Sequence, residues 1–352
     1  MGQDVQAAAD NSSAAAAVEP ILDVDGVTLQ YKTKEHLITA TYRVGFKVYP
    51  ADRFVILGPS GCGKSTLLKG VAGYMTPVEG AMRLKGREIH EPGPDRVMVF
   101  QEFDQLLPWK TVKQNITFAL MNGGKCSTQK DADELAMEYI KKVKLDRFED
   151  TYPHMLSGGM KQRVAIARGM AMEPDILLMD EPFAALDALT RLQMQEELLQ
   201  LWEDTHFTVL FVTHSIEEAL IVGSRILVLS PHPGQVKAEL NAHHLNHSNV
   251  GDKEFSELQS KIHNMLFVMR PEFEASDLDA ANHGDVARRL TAYERLSNMD
   301  SVRKFSILIL FIAAWEIYTR ASGVSHFLLP KFSDTAVALF QAIWSEQLLI
   351  MV

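Results

Sequence analysis

A nine-residue run, Gly58, Pro59, Ser60, Gly61, Cys62, Gly63, Lys64, Ser65 and Thr66, constrains this chain more than any other stretch. It fits G-x-x-x-x-G-K-[ST] and lies between the apolar residues Phe54, Val55, Ile56 and Leu57 and an apolar-periodic segment that begins at Leu67. The order reads as strand, phosphate loop, helix. Glycines let the backbone turn so that successive N–H groups face phosphate oxygens, and the helix N-terminus adds its positive dipole end. Lys64 is expected to reach the β- and γ-phosphates of a nucleotide. Ser65 is expected to offer its hydroxyl to Mg²⁺, with Thr66 alongside. The competing reading is a Gly-rich turn without chemistry; the flanking strand and helix signals weigh against it.

Composition narrows the function classes. The net charge of -10 argues against a general nucleic-acid binder, which needs a basic footprint to displace counterions. The two cysteines, Cys62 and Cys126, give no disulfide framework and read as reduced thiols of an intracellular protein. Residues 1–20 are rich in Ala and Ser with no long apolar run, so they read as a flexible tail and not a secretory signal.

From Ile21 apolar residues alternate through Leu22, Val24, Val27, Leu29 and Tyr31, then through Ile38, Ala40, Tyr42, Val44, Phe46 and Val48, which predicts antiparallel strands leading to the loop strand. Tyr31 or Tyr42 could stack on a base or pack in the core. Residues 80–84 and 96–100 read as short strands, the second leading to Gln101. Residues 111–144 turn helical, as an insertion that closes at Leu156, Ser157, Gly158 and Gly159, a turn opening a helix through Gln162 and Arg163. After Asp175, residues 176–179 form an apolar run that ends in Asp180 and Glu181, as a buried parallel strand does where its carboxyl end meets a ligand. Asp180 would hold Mg²⁺, and Glu181 could take a proton from an attacking water. A second apolar strand, from Val209, ends at His214, which could contact the γ-phosphate or be structural.

These pieces, in this order, resemble the ATP-binding subunit of an ABC transporter over residues 21–236. The resemblance comprises a Walker A loop at residues 58–66, a Q-loop at Gln101, a signature at residues 156–163, Walker B ending at Asp180 with Glu181, a D-loop at Ala185, Leu186 and Asp187, and an H-loop at His214. It implies a RecA-like P-loop NTPase core with an antiparallel β subdomain and a helical signature subdomain. It implies a head-to-tail dimer, in which ATP on Walker A of one cassette is covered by Ser157, Gly158, Gly159 and Gln162 of the other. Hydrolysis would be in-line attack by water, with Glu181 as base, Mg²⁺ and Lys64 neutralising charge, and His214 and Gln101 positioning groups. Tyr31 matches the adenine-stacking position better than Tyr42, although its spacing to Walker A is long. Ser215 stands where an acid commonly follows the histidine.

Residues 100–109, 180–191 and 209–219 look like those of the nitrate, sulfonate and taurine importers. That implies permease partners, a periplasmic or extracellular substrate-binding protein acting indirectly, and a place at the cytoplasmic face of the membrane. Two rival readings stay open: a soluble non-transport ABC ATPase, and an ATP-binding regulatory remnant of a transporter.

Domain boundaries are expected after residue 20, after an ATP-binding domain at 21–240, and after a linker extension at 241–300. His243, His244 and His247 read as a solvated polar linker in preference to a metal site. Residues 255–269 look helical, and acids dominate 271–285. From residue 301 the sequence resembles the start of a permease, including Leu328, Leu329, Pro330, Lys331, Phe332 and Ser333. The apolar run Phe305 to Tyr318 is a candidate membrane helix that could instead be interfacial: it is shorter than the ~20 residues a span needs, and Glu316 would be costly at mid-bilayer. Trp315 and Tyr318 suit an interface, and the segment reads as a truncated permease fusion.

Overall fold

The computed structural model describes residues 19–33, 36–101, 105–245, 249–267, 287–289, 291, 300–321 and 330–344. The expected tail up to residue 18, His247 and the acidic stretch 271–285 lie outside them. The chain divides into two units, one holding residues up to Tyr31 and Ile38–Val286, the other Lys32–Leu37 and Ala287–Val352.

The first unit holds all but the hairpin ends of the alternating segments, which form strands β1 (Leu22–Lys32) and β2 (His36–Val48). Strand β3 (Arg53–Leu57) leads through the glycine-rich loop into helix α1 (Lys64–Val71). Strands β4 (Glu79–Leu84) and β5 (Arg87–Glu88) complete a small antiparallel sheet ordered β2-β1-β4-β5. Leu22 faces Leu84 and Val24 faces Met82 across it, so the alternate apolar residues share one covered face.

The principal sheet comprises β3, β6 (Arg96–Val99), β7 (Ile176–Asp180), β8 (Val209–Thr213), β9 (Arg225–Leu229) and β10 (Val236–Asn241). Its order is β10-β9-β3-β8-β7-β6. All neighbours pair parallel except β10, which lies antiparallel on β9. The continuous apolar runs follow from burial on both faces. Phe54, Ile56, Leu178, Leu210 and Leu227 pack with Leu67 and Leu68 of α1, whereas Val55, Leu57, Met179, Phe211 and Val228 pack in a second cluster with Leu220 and Ile221.

Between β6 and β7 the predicted helical insertion is present as α2 (Val112–Asn122), α3 (Gln129–Lys142) and α4 (Gly158–Ala171). Side-chain chemistry sets their starts: Thr111 and Gln114 form a reciprocal capping box on α2, Thr128 caps α3 and Ser157 caps α4. Helix α5 (Ala188–Thr205) joins β7 to β8, and α6 (Ile216–Val222) joins β8 to β9. Helix α7 (Lys253–Phe267) buries Phe255, Ile262 and Leu266 in the same core as β7 and β8.

The second unit holds the short strand β11 (Ala287–Arg289) and helices α8 (Asp300–Ala321) and α9 (Phe332–Trp344). Trp315 Nε1 donates to Pro330 O at 3.2 Å. Glu316 accepts from Arg320 of its own helix and from the Ser333 amide (3.2 Å) and hydroxyl (2.9 Å) at the start of α9. The candidate membrane helix is therefore a helix, but among the described residues none is long and apolar enough to cross a membrane. The physical reason is charge: only 11 uncharged residues, 305–315, separate Lys304 from Glu316, against about 20 needed for a span.

Candidate active site at the carboxyl edge of the sheet

Register places the predicted residues together. Leu57 pairs with Thr213, Asp180 with Val212, and Val99 with Met179, so the four parallel strands end at one level. The phosphate loop, His214, Glu181 and Gln101 all follow from that edge within two residues of it.

Two glycines give the loop its shape. Gly61 and Gly63 have φ of +82° and +93°, in the left-handed region that L side chains avoid. Around Gly63 space is also closed, since an added Cβ would lie 2.5 Å from Ala40 O and 2.8 Å from Thr41 Cγ2 of β2. Cys62 is buried, and that burial pushes its thiol upward against the pull of Lys64, so it is a packing residue of the loop.

Lys64 opens α1 with only 4% of its surface exposed, and its ammonium donates to Gly58 O (2.9 Å) and Pro59 O (3.1 Å). It also lies 3.7 Å from Glu181 Oε1. Ser65 Oγ donates to Asp180 Oδ1 at 2.8 Å. Burial is the largest influence on Asp180 and raises its carboxyl above the ordinary 3.8, although the Ser65 hydroxyl and Lys69 and Lys64 pull it down. A desolvated carboxylate beside a hydroxyl, both hard oxygen donors, fits a site that receives Mg²⁺ together with phosphate oxygens and water. Among the described residues no three His, Cys, Asp or Glu side chains cluster to hold a metal, as a self-sufficient protein cage would require. His244 pairs instead with Glu254, 3.0 Å away.

Glu181 stands at φ +44°, strained backbone for a non-glycine residue, and its amide donates to Val212 O at 3.0 Å. This turn carries the carboxylate out of the strand direction to the His214 ring, whose Nδ1 lies 2.8 Å from Glu181 Oε2. His214 itself is half exposed. Gln101 is exposed at the end of β6. Asp187 accepts from the Thr190 amide at 3.1 Å as the cap of α5, and the Thr190 side chain first, then its amide, lower the Asp187 carboxyl. Tyr31 is 41% exposed near the end of β1, whereas the residues of that sheet that abut the loop are Ala40 and Thr41, next to Tyr42.

The signature residues separate. Ser157 is exposed and its hydroxyl accepts from Met160 N at 3.3 Å, leaving its own proton for another acceptor. Gly158 follows it, and Gly159 sits so close to α5 that a Cβ would lie 2.8 Å from Thr190 Cγ2. Gln162, expected to act with them across a dimer, is fully buried, and neither of its amide atoms has a partner. Five residues beyond Ser157 is about 140° around a helix, which turns Gln162 inward.

Sequence reasoning missed Arg191, Thr213 and Glu218, which surround the histidine loop. The signal was Ser215 followed three residues later by Glu218, a helix-start pattern.

Comparisons with known proteins match this arrangement. The family model described as ABC transporter matches residues 42–184. The taurine import ATP-binding protein of Rhizobium johnstonii is 46% identical over 237 residues, 65% of this chain and 89% of that protein. The chain belongs to the ABC transporter ATP-binding proteins. A bicarbonate transport ATP-binding protein of Synechocystis is 39% identical over 66% of this chain and 77% of its own length. A dimeric ATP-binding cassette solved in a post-hydrolysis state with ADP and phosphate superposes with a TM-score of 0.55 at 32% identity, covering 63% of this chain and 98% of that one. This ABC protein is a transport ATPase that binds ATP.

Proposed function

We propose that this chain drives import of a small anion, of the sulfonate or bicarbonate class, through a partner permease at the cytoplasmic face of the membrane. The taurine and bicarbonate relatives support the cargo class. The observation that carries the hydrolytic part is the meeting of Lys64, Glu181 and His214 at one sheet edge.

Lys64 holds the β- and γ-phosphates, exchanging its bonds to Gly58 O and Pro59 O for phosphate oxygens. Ser65, Asp180 and Gln101 hold Mg²⁺, which neutralises charge on the phosphates when bound. Glu181 accepts the proton of the attacking water, and the His214 ring orients that carboxylate. Tyr31 stacks on adenine, and Pro59, Ser60, Gly61, Cys62, Gly63 and Thr66 complete the phosphate cradle. Ser157, Gly158 and Gly159, with Asp187 beside them, act on ATP held by a second cassette, a reading supported by the dimeric relative. Buried Gln162 is left out of that set. The segment from residue 301 is a permease-like appendage, a reading that rests on its sequence alone.

Mg²⁺-dependent ATP hydrolysis by the full chain, measured against protein concentration, tests this reading. A rate that rises faster than linearly and is lost in Glu181→Gln supports a self-complementing dimer. Tight ATP binding without turnover at any concentration overturns it.

A further inference from the structure

The loop that carries His214 is fastened from both sides. Ser215 caps α6 by accepting from Glu218 N at 3.3 Å. In a simple capping box Glu218 would return the bond to the Ser215 amide. Here its Oε2 instead accepts from the Thr213 hydroxyl at 2.6 Å, and that hydroxyl accepts from Ser215 N at 3.0 Å. Thr213 thus relays the box, and the residues before and after His214 are tied to one buried carboxylate.

The other oxygen of that carboxylate faces a different element. Glu218 Oε1 lies 3.6 Å from Arg191 Nε on the first turn of α5, and Arg191 Nη2 donates to Leu186 O at 3.1 Å, inside the D-loop. The residue before Arg191, Thr190, is the one against which Gly159 of the signature packs. Removing Glu218 would leave a largely buried guanidinium nitrogen without its charge partner, because Arg191 Nε has no hydrogen bond.

We propose that Arg191, Glu218 and Thr213 are positioning residues that couple the D-loop, and through it the surface facing a second cassette, to the orientation of His214. The inference rests on the proposed role of His214 beside Glu181. When Leu186 shifts, Arg191 shifts with it, and the pull on Glu218 re-aims the Thr213–Ser215 turn. None of the three belongs to the phosphate loop or bonds to Lys64, Ser65 or Asp180; their effect on hydrolysis runs through His214.

The test uses the full chain and steady-state ATP hydrolysis of wild type, His214→Ala, Glu218→Gln, Arg191→Met, the Glu218→Gln/Arg191→Met double variant, Thr213→Val and Thr213→Ser. Gln keeps the acceptor for Thr213 but loses the charge that meets Arg191. The expected result is a kcat about tenfold lower in Glu218→Gln and Arg191→Met, with KM for ATP within about twofold. The double variant should be no worse than either single one. Thr213→Val should show the same loss, and Thr213→Ser should restore it. Additive losses, a fall in kcat matched by the folded fraction, or unchanged kcat would overturn the proposal. If His214→Ala keeps full activity, the reading of His214 fails; if it loses activity while the other variants keep theirs, only the coupling fails.

Discussion

Glu181 and His214 lie on neighbouring strands' ends with 2.8 Å between Oε2 and Nδ1, and Lys64 approaches the other carboxylate oxygen at 3.7 Å. The carboxylate is therefore held between a ring and an ammonium, which fixes its direction. This preorganisation is what a general base needs, since its proton acceptor must already point at the water.

Glu181→Gln should lower ATP turnover by about 10²- to 10⁴-fold, the usual contribution of a positioned base. ATP affinity, read by fluorescent-nucleotide titration, should stay within about threefold. An equal loss in affinity and turnover would mean that Glu181 shapes the pocket and does no proton transfer.

The two left-handed glycines should differ. Gly61→Ala meets nothing within 4 Å and bears only the backbone penalty, about 1–2 kcal/mol. Gly63→Ala adds a clash with Ala40 O at 2.5 Å and should displace the loop from β2. Urea unfolding and ATP binding should show Gly63→Ala losing clearly more of both.

Asn115 should be worth more than a surface polar residue. It is fully buried, accepts from Leu107 N at 2.8 Å and donates to the carbonyls of Leu107, Lys110 and Thr111. It thereby pins the turn ahead of α2. Asn115→Ala should cost about 2 kcal/mol in urea unfolding, because Leu107 N loses its acceptor and Lys110 O a donor, whereas Leu107 O and Thr111 O keep backbone donors in Lys110 N and Asn115 N.

Glu218 gives a pH prediction with a definite sign. Burial lifts its carboxyl above the ordinary 4.5, opposed by the Thr213 hydroxyl and Arg191. Between the unfolded and folded values the native state binds the extra proton, so the stabilising contribution is present below the ordinary value and lost as pH rises through the raised one. Glu218→Gln does not titrate. Its melting temperature relative to wild type should therefore rise as pH climbs out of the carboxylate range; a constant difference would refute the assignment.

The site's chemistry was legible where residue type and strand end coincide. Asp180, Glu181 and His214 each follow an apolar run, since a parallel strand that is buried on both faces carries its polar residues at its end, and Lys64 follows the glycine-rich loop that opens a helix. The burial of Gln162 was not legible from the motif, because motif membership says nothing of helix phase. Arg191 and Glu218 were invisible as a pair because they are distant in sequence and meet only when α5 and α6 pack side by side. The packing of α7 into the main core was equally hidden, since Phe255, Ile262 and Leu266 mark an apolar face without naming what covers it. The charge-broken helix α8, by contrast, could be counted from the sequence.

The register of β3, β8, β7 and β6 acts as a ruler for the whole centre. A single-residue insertion inside β7 would exchange the faces of Asp180 and Glu181 while leaving every motif intact to the eye. Length variation in this chain should therefore be tolerated in turns such as that around Gly86, where an added Cβ meets nothing, and refused within the strands.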